Sequence, residues 1–126
     1  MPMIKLLLIS AGLAIGFVGL GYLGPAESMY ARYGIEILSV NQFNMVRGAY
    51  GGLFLTFAAL FLLGAFKDKY TFSALIGLLT FMFGFAIGRI ASIIQDGNPS
   101  TLIYSLLAFE VFYSLASIYC LRKLDG

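Results

Sequence analysis

"YTFSALIGLLTFMFGFAIGRIASIIQ" runs from Tyr70 to Gln95 and carries a single charge, Arg89. A helix needs about 20 mainly apolar residues to cross the hydrocarbon core of a bilayer, and this stretch is long enough. Three other runs read the same way: Ile4 to Gly24, Asn44 to Phe66 and Pro99 to Leu121. Of the 126 residues, 60% are hydrophobic and 11% charged, against about a quarter charged in ordinary soluble domains. A chain this short cannot bury so much apolar surface in a core of its own, so the surplus must face lipid. The expected fold is an all-α membrane protein, four transmembrane helices in an antiparallel bundle, with residues 1–126 forming one unit. Only residues 25–43 are long enough for a structured loop, and Pro25 to Tyr33 reads as a short interfacial helix ended by Gly34.

Orientation follows from the placement of Lys and Arg. An even number of spans puts both termini on one side, and that side holds Lys5, Lys67, Lys69, Arg122 and Lys123. Both termini are therefore expected in the cytoplasm, with the loop over residues 25–43 outside. Tyr22, Tyr30, Tyr33 and Tyr104 mark the outer boundary and Tyr70 and Tyr119 the inner one, as an aromatic belt does. The first apolar run exceeds the 7–15 residues usual for the core of a signal peptide, so it is read as a retained span. Asn98-Pro99 is expected to open the fourth helix as N-cap and first residue, after Gly97 ends the third.

Lipid supplies no hydrophobic drive for helix association, so close approach at small residues matters. GxxxG pairs occur at Gly12 and Gly16, Gly48 and Gly52, and Gly84 and Gly88, with Gly77 extending the last stripe. They are expected mainly to pack the four helices on one another. A seam between copies in a homo-oligomer is the sharper alternative.

Arg47, Arg89 and Glu110 lie inside apolar runs, where a charge at the centre costs at least about 2.5–3.5 kcal/mol. Arg47 is about 5 Å from the outer end of its helix. Its side chain tilts toward that end, so it is expected to reach the headgroups. Arg89 lies about 10 Å below the outer end of the third span and tilts toward the middle of the bilayer. Glu110 lies about 16 Å below Pro99 and tilts upward, because its helix runs the other way. The two are expected to pair. Arg89, Ser92 and Asp96 share one helix face, as do Glu110, Ser114 and Ser117, and Asn44, Arg47, Tyr50 and Gly51 form a matching face on the second span. The expected outcome is a polar pocket in the outer half of the bundle. It would bind Asn44, Arg47, Tyr50, Arg89, Ser92, Asp96, Glu110 and Ser114 to a small anionic or amphipathic ligand, a lipid included. The plainer alternative is that the pair only fixes helix packing.

Other functions find little support. Net charge is +2, which gives no reason to expect a nucleic-acid partner. Histidine is absent and Cys120 is alone. That removes the commonest general base and metal ligand and any intrachain disulfide. No cofactor, metal site or catalytic residue is expected, and an enzyme is the least expected class. "NMVRGAYGG" (Asn44 to Gly52), "GRIASIIQDGNP" (Gly88 to Pro99) and Glu110 give the chain a resemblance to a small bacterial membrane family catalogued as a domain of unknown function, family 4345. The resemblance covers nearly the whole chain. It implies four spans in a bacterial inner membrane and supplies no mechanism.

Overall fold

In the computed structural model, which describes residues 1–125, nearly every residue is helical. Helix α1 spans Pro2–Leu23, and the short α2 spans Ala26–Ala31. Then α3 (Val40–Val46), a π-helix (Arg47–Leu53) and α4 (Phe54–Phe66) run on as one rod. A 3₁₀ turn over Asp68–Tyr70 leads into α5 (Thr71–Asp96), and α6 spans Thr101–Asp125. Four rods are long and apolar enough to cross a membrane, and successive rods pack as antiparallel neighbours. One end of the bundle carries both termini, and the other carries residues 24–39.

The sequence accounts for most boundaries. The expected helix after Pro25 forms, and Gly34 follows it at φ +73°, a backbone conformation costly for any residue with a Cβ. The second rod begins at Val40, four residues before the expected start. Ser39 is the reason: its side chain accepts from the Gln42 N–H at 3.1 Å, while Gln42 Oε1 accepts from the Leu38 N–H. This is a capping-box arrangement, which satisfies amides at a helix start. Gly97 ends α5 at φ +98°. The expected Asn98-Pro99 start of α6 is corrected: Pro99 lies outside the helix, which opens at Thr101 after Ser100. Asn98 instead accepts a 2.7 Å hydrogen bond from the Tyr104 hydroxyl, across the turn.

The core is densest toward the termini end. Leu8, Phe61, Leu75, Leu78 and Met82 are almost wholly buried there. Ser10 and the Tyr113 hydroxyl share a 2.8 Å hydrogen bond that ties α1 to α6. A ladder of rings, Tyr50, Phe54, Phe81, Phe85 and Phe57, rises between α4 and α5 with neighbouring centroids 4.9–6.4 Å apart. Apart from the Ser10–Tyr113 hydrogen bond, α1 and α6 barely meet. On the outside of the bundle Leu6, Leu13, Phe17 and Leu20 of α1 and Phe112 and Leu115 of α6 are each more than 60% exposed, which suits a lipid-facing surface.

The glycine pairs divide. Gly12 and Gly16 face α4, where a Cβ on Gly12 would sit 2.7 Å from Leu62 Cγ. Gly77 likewise faces Leu60. Packing inside the chain does not account for the other two pairs: Gly48, Gly84 and Gly88 have no other part of the described chain within 4 Å of a Cβ position. A four-rod bundle has only so many inward faces, and the aromatic ladder already fills the one between α4 and α5.

Candidate functional site

Arg89 and Glu110 meet because α5 and α6 form a tight antiparallel pair and each side chain leans along its own helix toward the other. The Arg89 Nε donates to both carboxylate oxygens of Glu110, at 2.8 and 2.9 Å. Glu110 is 6% exposed, whereas the side chain of Arg89 is 24% exposed. The two terminal amino groups of Arg89 have no protein acceptor among the described residues, although the guanidinium offers five donors in a fixed fork. The Phe85 ring lies against it, with its centroid 5.7 Å from the guanidinium carbon.

Two cavities flank this cation. The first, about 520 Å³, separates the loop-end halves of α1 and α6 and includes Arg89, Glu110 and Tyr50 in its wall. Its floor is apolar, formed by Ala14, Ile15, Phe81 and Met82, and Tyr22, Tyr30 and Tyr33 stand near its mouth. The second, about 640 Å³, opens between the π-helix and α5 and is lined by Tyr50, Gly84, Gly88, Arg89 and Ser92. The open Gly84–Gly88 face is thus one wall of a groove that leads to Arg89. Tyr22, Tyr30 and Tyr50 pack mutually, with centroids 5.3–6.0 Å apart. Burial, with Tyr50 beside it, pushes the Tyr30 phenol up to about 12, so its proton stays on at ordinary pH.

The expected pocket therefore assembles only in part. Arg89, Glu110 and Tyr50 come together. Ser114 lies next to them but donates to the Glu110 carbonyl at 2.8 Å, within its own helix. Ser92 lines the second cavity and donates to Asp96 at 2.9 Å. Asp96 and Asn44 are exposed and line neither cavity. Arg47 does not reach Glu110 and leans toward the loop end of its rod, as expected. Its Nη1 donates to the carbonyls of Tyr22, at 3.0 Å, of Leu23, and of Gly24, at 2.9 Å. The Tyr22 and Leu23 carbonyls are among those that the end of α1 leaves without helical partners, and a cation suits the negative end of a helix dipole. Arg47→Ala should lower stability by about 1–2 kcal/mol, measured by reversible unfolding in mixed micelles, while leaving anything bound at Arg89 in place.

The tyrosines at the cavity mouth were legible in the sequence only as membrane-boundary residues. The π-helix was not anticipated at all, although three glycines within "RGAYGG" (Arg47 to Gly52) hinted at an irregular helix. Such wide turns often occur at functional sites. Here the wide turn is where α1 comes close: a Cβ on Gly19 would lie 3.1 Å from the Gly51 carbonyl oxygen, and one on Gly51 would strike Leu23. That closeness brings the end of α1 within reach of Arg47.

Residues 3–121 match the family described as a domain of unknown function (DUF4345). The chain belongs to that family and is a multi-span membrane protein. No curated protein and no solved structure matches it.

Proposed function

We propose that this family member holds a small amphipathic ligand with an acidic or hydrogen-bond-accepting headgroup at Arg89, beside Glu110. On this reading the bundle sits in a bacterial inner membrane with both termini cytoplasmic, because Lys5, Lys67, Lys69, Arg122 and Lys123 gather toward the termini end. The cavities then open in the outer half of the bilayer. One observation carries the reading: Arg89 meets Glu110 through Nε alone, and its terminal amino groups are left without a protein acceptor beside a cavity of ligand size. Intramembrane charges that are not fully used by the protein mark binding or transport paths more often than ornament.

Native mass spectrometry of protein taken from its own membrane tests this. A bound species of constant mass should appear on the wild type and on Arg47→Ala and be lost from Arg89→Lys, which keeps the ion pair but not the fork. An adduct equally abundant on Arg89→Lys would overturn the proposal. A purely structural pair is the second reading, and the burial of the Glu110 carboxylate favours it. Under that reading Arg89→Lys alters no bound species and no cellular phenotype.

A further inference from the structure

Building on that site, we infer that its ligand is a long-chain carboxylic acid, taken up together with one proton per molecule. The argument begins with charge. The ionisable side chains lining the α1–α6 cavity are Arg89, Glu110, Tyr22, Tyr30, Tyr33 and Tyr50. With the phenols protonated, the set is neutral. Arg47, the one cation on the second rod, is committed to the carbonyls of α1, and Arg32, which acts on Tyr22 from the end of α2, is not part of the cavity lining. A ligand anion entering alone would leave one uncompensated negative charge in a poorly hydrated site, at a cost of several kcal/mol. A weak acid avoids this by bringing its own proton. The neutral acid enters, its carboxyl group takes the terminal amino groups of Arg89, and the proton is held between the ligand carboxyl and Glu110. No charge is gained or lost. A phosphodiester has no proton to bring at ordinary pH, so an anionic phospholipid headgroup meets the full cost.

Two further observations narrow the class. The free edge of the guanidinium offers parallel donors that match the two oxygens of a carboxyl group, whereas an ester carbonyl presents one. Arg89 also lies about 10 Å below the end of α5, beneath the headgroup level. A carboxyl group is narrow enough to descend there, and the apolar floor of Ile15, Phe81 and Met82 continues beyond it. The separation of α1 from α6 leaves a side wall through which an alkyl chain can lie toward lipid.

The test uses the full-length protein in phosphatidylcholine nanodiscs and three probes with the same mid-chain diazirine: palmitic acid, its methyl ester, and methyl hexadecyl phosphate. The acid should photolabel α1 and α6 at the cavity. Labelling should fall about ten- to hundredfold in Arg89→Lys and should fall also in Ala14→Phe, which narrows the cavity from α1, a helix that carries neither member of the ion pair. The ester and the phosphodiester should label at the Arg89→Lys level. Calorimetry in buffers of different ionisation enthalpy, at a pH where free palmitate is ionised, should show about one proton taken up per acid bound. Ester or phosphodiester labelling that depends on Arg89 as strongly as the acid's would overturn the carboxylic-acid assignment and leave the binding site standing. Arg89-dependent labelling by the acid with no proton uptake would overturn the coupling. No Arg89-dependent labelling by any probe would overturn the inference, and the proposed site with it if native mass spectrometry also shows no Arg89-dependent adduct.

Discussion

Glu110→Gln should destabilise the bundle by about 3 kcal/mol, the lower end of the range for breaking a buried ion pair. The lower end applies because 24% of the Arg89 side chain remains open to the cavity, where water can reach it. The remaining cost arises because Glu110 supplies both hydrogen-bond acceptors that Arg89 has. The Phe85 ring faces the guanidinium but gives only a weak cation–π contact in exchange. Unfolding in bicelles, followed by steric trapping, reads the loss directly. The companion Arg89→Met, Glu110→Met double variant should recover most of it, since apolar replacements of a whole buried pair are often neutral. A double variant as unstable as the single one would show that the pair itself, and not the stranded cation, holds α5 to α6.

Gly64→Leu should cost about 3 kcal/mol, at the top of the usual range for overpacking. The hairpin between α4 and α5 closes at this residue. A Cβ there would run into the Cβ of Ala74 and lie 3.0 Å from the Tyr70 carbonyl oxygen. The same turn is fastened by Thr71, whose hydroxyl donates to the Gly64 carbonyl at 2.7 Å. Backbone and a short side chain crowd the site, so little can move aside. Gly84→Leu makes the control: a Cβ there meets nothing of the described chain within 4 Å, and its unfolding midpoint should stay near that of the wild type. Equal losses at the two positions would mean that the close approach at Gly64 does not set the effect, since Gly→Leu raises helix propensity at both.

The four rods and the Arg89–Glu110 pair were legible because both rest on rules local to one chain: apolar length, chain direction and the tilt of side chains along a helix. The pair could be placed by counting residues from two helix ends joined by a short turn. Arg47 defeated the same counting. Its partners are the carbonyls at the end of α1, and no spacing within the second span says where a neighbouring helix stops. Asn44 and Asp96 were grouped with the site by periodicity, but periodicity names a face and not what the face meets. The start at Ser39 was readable in principle, since Ser39 and Gln42 stand at capping-box spacing. The open Gly84–Gly88 face was not readable, because a GxxxG pair looks the same whether a helix, a ligand or lipid lies against it.

The π-helix over Arg47–Leu53 also alters how the second rod should be compared with its relatives. Each wide turn closes i to i+5 instead of i to i+4, and one extra residue per turn amounts to about 100° of rotation in α-helical terms. The rod on either side of this segment therefore keeps two rotational phases. A helical wheel drawn through Val40–Phe66 with one period scrambles inward and outward positions beyond the break. A relative lacking one residue between Arg47 and Leu53 could keep every apolar residue of α4 and still turn its arginine away from α1. In an alignment of this family, a one-residue gap at that place would be a change of architecture and not a neutral slip.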